Sequence, residues 1–133
     1  MSKESLQALE ADLAELKKKL DLAKNERNIA KSLLKTGTKE IESFTKTAEH
    51  HRNNLVHMKS EADVVDLEEY IKVKIMYLEA RDCLTIAKQQ VSQANKVIVK
   101  MEIIISTMDI EYKAILKALD SYGELVQFPT KMS

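Results

Sequence analysis

Apolar residues recur along this chain at steps of three and four. From Leu6 they fall at Leu9, Leu13, Leu16, Leu20 and Ala23. The same phase continues through Ala30, Leu34, Ile41, Phe44, Ala48, Leu55, Met58, Ala62 and Val65. This is the spacing of one helix face, a heptad with Leu6 at a and Leu9 at d. Arg27, Gly37 and His51 interrupt it. A second series in a new phase runs through Tyr70, Val73, Tyr77, Ala80, Leu84, Ala87, Val91 and Ala94. It goes on through Ile98, Met101, Ile105, Met108, Tyr112, Ile115, Leu119 and Tyr122 without a polar intrusion. The period of two that a strand needs is absent beyond a few residues. The pattern predicts an all-α chain.

The phase change places a turn between about 53 and 66, where Ser60-Glu61-Ala62-Asp63 offers a capping serine with a carboxylate three positions on. The expected architecture is a long antiparallel helical hairpin, a coiled coil with arm 1 over about 3–58 and arm 2 over about 64–122. Gly123 and Pro129 end the second arm, leaving a short C-terminal tail over 124–133. In that tail Leu125 and Phe128 read as a cap folded over the helix end. Gly37 leaves an alternative open. If the chain breaks there, with Thr38 capping the next helix, the result is a three-helix bundle.

Two helices joined by one turn run antiparallel, so a layers of one face d layers of the other. Pairing residues whose numbers sum to 128 gives Met58/Tyr70, Ala48/Ala80, Phe44/Leu84, Ile41/Ala87, Leu34/Ala94, Leu20/Met108, Leu13/Ile115 and Leu9/Leu119. Every one of these layers is apolar, and Ile41/Ala87 and Leu34/Ala94 set a large side chain against a small one, which suits a closely packed seam. Flanking charges favour the same register, with Lys17 near Asp109, Lys24 near Glu102 and Lys19 near Glu111. A one-heptad shift sets Lys31 against Lys88, or Glu26 against Glu111, and like charges reject it.

One apolar strip per helix satisfies a hairpin, yet the second arm carries more. Opposite its seam lie Ile71, Ile75 and Leu78, then Val99, Ile103 and Ile110, with Val97 and Ile104 widening the arc. Between Cys83 and Met108 the only charges are Lys88, Lys96, Lys100 and Glu102. A helix apolar nearly all round is a buried one, so this face calls for cover from a second copy or another protein. These six residues are the expected partner-binding surface. The corresponding function is a non-enzymatic protein–protein interaction or assembly module, adaptor- or scaffold-like.

Composition agrees. The 133 residues hold only two glycines and one proline, too few for the turns of a β or α/β fold. Lys+Arg 21 balances Asp+Glu 21, so there is no general attraction to nucleic acid or anionic lipid. No stretch is apolar enough to span a bilayer, no signal-peptide layout opens the chain, and the single cysteine, Cys83, suits a reducing compartment. The expected location is cytoplasmic.

Candidate chemistry is sparse. His50, His51 and His57 are close in sequence, but spacings of six and seven do not put two ligands on one helix face, so no metal is expected. Arg27, at an a position opposite Met101, reads as a register-fixing polar residue. There is no nucleophile with a base, no Gly-rich phosphate loop and no pocket-forming topology; no catalytic residue, cofactor or small-molecule substrate is expected, and the chain reads as no enzyme. Two further functions stay open. One is a nucleic-acid-associated accessory protein using Lys17, Lys18, Lys24, Lys31 and Lys35, disfavoured by the acids interleaved with them. The other is a small viral or phage inhibitor or scaffolding protein binding a host or virion macromolecule.

Overall fold

The computed structural model describes residues 2–61 and 66–132, with side chains over 2–60 and 66–122. Two helices account for nearly all of them, α1 at Lys3–Glu61 (59 residues) and α2 at Leu67–Met132 (66 residues). They pack against each other as an all-α helical hairpin, with no strand among the described residues.

Both helices begin at a cap. Ser2 opens α1: its Oγ accepts a hydrogen bond from the Ser5 N–H at 3.1 Å. Asp66 opens α2, its Oδ1 accepting from the N–H groups of Glu68 (3.1 Å) and Glu69 (3.3 Å). With Glu69 three positions on, Asp66 fits the capping-box spacing, and its carboxylate lies at the positive end of the helix. The expected cap at Ser60 is therefore corrected. Ser60 is still inside α1, its hydroxyl donating to the His57 carbonyl at 3.2 Å. The remainder of that motif, Ala62 and Asp63, lies outside the described residues.

Gly37 does not break α1, and this removes the three-helix alternative. The helix runs unbroken from Lys3 to Glu61, and Thr38, instead of capping a new helix, donates its hydroxyl to the Leu34 carbonyl one turn back at 2.7 Å. A glycine in a helix interior costs about 1 kcal/mol against alanine. Here the position is buried, and a Cβ on it would lie 2.6 Å from Cγ2 of Val91. Val91 is the residue that the sum of 128 sets opposite Gly37, so the glycine is a point of close helix approach in the expected register. The Lys59 ammonium, 5.6 Å from the centre of the Tyr70 ring across the hairpin, agrees with the same alignment.

The second arm also differs from expectation at its end. α2 continues through Gly123 and Pro129 to Met132, where a stop at Gly123 was predicted. Glycine ends a helix by taking a left-handed backbone, and no glycine among the described residues has a positive φ. The cap proposed for Leu125 and Phe128 lies outside the described side chains.

The packing forms two compact units, each built from a stretch of both helices: Met1–Ile29 with Val97–Ser133, and Ala30–Lys96. The first unit buries Leu16, Leu20 and Ala23. The second buries Ala30, Ala48, Leu55, Val73, Ala80, Ala87 and Ala94. All belong to the two predicted apolar series. Among the described residues no helix is long and apolar enough to cross a membrane.

Candidate interaction surface

A helix presents its a and d side chains to its partner, which leaves b, c and f positions facing outward. On α2 the outward positions carry Ile71, Ile75 and Leu78 in the second unit, and Val99, Ile103 and Ile110 in the first. All six are exposed, from 43% at Leu78 to 71% at Ile110. Ile71, Ile75 and Leu78 follow each other at steps of four and three, and Val99 and Ile103 at four, so each group lies on one helix face. The two groups belong to different units.

The exposed apolar set is wider than the sequence reading. On α1, Leu22 and Ile29 stand 64% and 53% exposed in the first unit, and Leu33 is exposed in the second. Leu22 and Ile29 are seven residues apart, both at the c position, so their pairing was visible in the heptad. The charges around them on α1 mask that signal in the sequence. The register puts them on the flank of the first unit that also carries Val97 and Ile104. Val97 is exposed and Ile104 half-buried.

The electrostatic flanks are local. Among the described residues the ion pairs join Lys19 to Glu15 (3.5 Å), Lys46 to Glu42 (3.3 Å) and Lys113 to Asp109 (3.0 Å), each one helical turn apart. The cross-helix partners expected for Lys19 and Asp109 are thus replaced by neighbours on their own helices. Same-helix pairs need less side-chain ordering, and each exposed pair contributes only a few tenths of a kcal/mol. The register rests on the apolar layers.

The polar interruptions of α1 lie half-buried. Arg27 donates from its guanidinium to Asn28 Oδ1 at 3.4 Å, while its Nε is buried without a hydrogen-bond partner. His51 Nδ1 is likewise buried and unpartnered, with the His50 ring 5.6 Å away. His50 in turn lies 3.4 Å from the Asn54 amide. Among the described residues no group of three His, Cys, Asp or Glu is placed to hold a metal ion. Lys17, Lys18, Lys24, Lys31 and Lys35 are all exposed. The first three stand in the first unit and the last two in the second.

Compared with protein-family models, curated proteins and solved structures, the chain matches none.

Proposed function

We propose that this chain is a non-enzymatic interaction or assembly module that associates through the outward face of α2, with a second copy of itself as the first partner. The observation that supports this is the exposure of Val99, Ile103 and Ile110 on one helix whose opposite side already serves the hairpin seam. Contiguous apolar surface of this kind usually marks an interface, because each buried Å² of it contributes about 25 cal/mol. The chain leaves 10110 Å² accessible to solvent. A folded monomer of its mass ordinarily leaves roughly 7,100 Å².

The exposed free thiol of Cys83 suits a reducing compartment, and we assign the module to the cytoplasm on that ground. Light scattering at several concentrations tests the association. Ile103→Lys places an ammonium in the centre of the face and is expected to shift the mass to that of a monomer while the helical signal in circular dichroism is kept. A wild-type mass equal to one chain at every concentration ends the self-association reading.

A further inference from the structure

The two units treat the same flank of the hairpin oppositely. Coiled-coil e positions of antiparallel helices meet along one side of the seam. In the first unit that side sets Lys17 opposite Asp109 and Lys24 opposite Glu102, so charges alternate in sign. In the second unit the e positions of α1 are Lys31, Thr38, Thr45, Arg52 and Lys59, and those of α2 are Lys74, Arg81, Lys88 and Asn95. No acid stands among them. Where α1 has threonine, α2 supplies Lys88 and Arg81; where α2 has Asn95, α1 supplies Lys31. The result is at least one cation per heptad, about 10 Å apart along the axis.

These cations form no ion pair with the chain's own acids among the described residues. Lys31, Lys74, Arg81 and Lys88 have no carboxylate three or four residues away on their own helix. Three of the flank's six cations lie against aromatic faces instead. The Lys74 ammonium and the Arg81 guanidinium lie 5.8 Å and 5.7 Å from the centre of the Tyr77 ring, and Lys59 sits over Tyr70. One ring thus gathers two positive groups, and the register sets Arg52 opposite Lys74. Like charges so placed repel until an anion lies between them.

The two edges of this flank differ. On the α1 side stand Lys35, Glu42 (already bridged to Lys46), Glu49 and the exposed Val56. On the α2 side stand the exposed Ile71, Ile75 and Leu78, bounded by Asp82 one turn beyond Leu78. A phosphate backbone would leave those apolar residues unmatched. A partner that answers both features is an amphipathic helix with acids at heptad spacing on one side and apolar residues beside them.

We propose that the Lys74–Arg81 flank of the second unit docks an acidic amphipathic helix of another protein. Its carboxylates meet Lys74, Arg81 and Lys88, and its apolar side rests on Ile71, Ile75 and Leu78. This deepens the interaction reading above and rests on it for those three apolar residues. The probe is a labelled amphipathic peptide of about four heptads with glutamate once per heptad, measured by fluorescence anisotropy against the full chain. A peptide with glutamine for glutamate, duplex DNA and phosphatidylserine vesicles are run beside it.

Binding of the acidic peptide is expected, weakened about tenfold by the glutamine exchange, by Lys74→Glu with Arg81→Glu, and by raised salt. Both substitutions fall on exposed helix positions, and circular dichroism confirms that the helices remain. No binding of the acidic peptide, equal binding of the glutamine peptide, or tighter binding of DNA or vesicles overturns the assignment. The Ile103→Lys mass measurement separates the two readings. A mass shift without peptide binding removes only the acidic partner; peptide binding by a chain that stays monomeric removes only the self-association.

Discussion

The unit built on Ala30–Lys96 and the unit built on Met1–Ile29 with Val97–Ser133 use one heptad grammar with different side chains. In the former, small residues enter the layers Leu34/Ala94, Gly37/Val91, Ile41/Ala87 and Ala48/Ala80, beside the large pairs Phe44/Leu84 and Met58/Tyr70; in the latter, large pairs predominate, in Leu9/Leu119, Leu13/Ile115, Leu16/Tyr112 and Leu20/Met108. The small residues are sealed, Ala87 to 1% exposure, whereas Leu9, Leu13, Ile115 and Leu119 stay half-buried. An alanine presents little surface and allows the helix axes to come close, so one partner helix covers it. A leucine projects farther and is enclosed unevenly by a single facing helix: Leu16 and Leu20 are buried, Leu9 and Leu13 only half-buried. Parts of a two-helix seam of large residues therefore retain wet apolar surface, and the unit that has them also carries the exposed outward residues Ile110, Leu22 and Ile103.

Three substitutions probe this contrast. The largest effect is expected at Leu20, the most buried large residue of its unit. Leu20→Ala should lower the urea-unfolding free energy by about 3 kcal/mol, against about 1 kcal/mol for the half-buried Leu9→Ala. Equal losses at the two positions would show that burial does not grade the large-residue seam. Next comes Ala87→Leu. With no space left at that layer, overpacking should cost about 2 kcal/mol in the same assay, and a neutral result would mean that the small-residue seam is loosely packed.

The smallest effect is at Gly37. Alanine there gains about 1 kcal/mol of helix propensity, but its Cβ meets the stiff Val91 side chain, whose rotamer in a helix is nearly fixed. A net loss of about 1 kcal/mol is expected. Pairing Gly37→Ala with Val91→Ala should relieve the clash and show favourable coupling in a double-mutant cycle. Additive effects would separate the two residues.

Much of this fold was legible before any coordinates. Steps of three and four fixed the helices, the phase change bracketed the connection, and the layer sum of 128 placed Val91 opposite Gly37. The outward residues of α2 were legible as well, since an apolar residue off the seam has nowhere to hide in a hairpin. Other features were not. Ser60 and Asp66 both begin a motif with an acid three positions on, and local sequence does not rank them; the difference is where α1 stops. Leu22 and Ile29 were obscured by the charged residues around them. The cationic flank was invisible along either helix alone, because it alternates between them, Lys88 and Arg81 filling the heptads where α1 has Thr38 and Thr45.

What the chain determined by itself is what one helix can express: period, phase, and which residues face inward, all consequences of a fixed rotation per residue. The tertiary structure decided what needs two helices at once. A glycine between two threonines reads locally as a stop, and it becomes a contact only when Val91 of the other helix closes on it. A lysine reads locally as a solvated charge, and it joins a stripe only when the facing helix supplies the next one. Backbone geometry sets the first kind of feature, and the alignment of one helix on another sets the second.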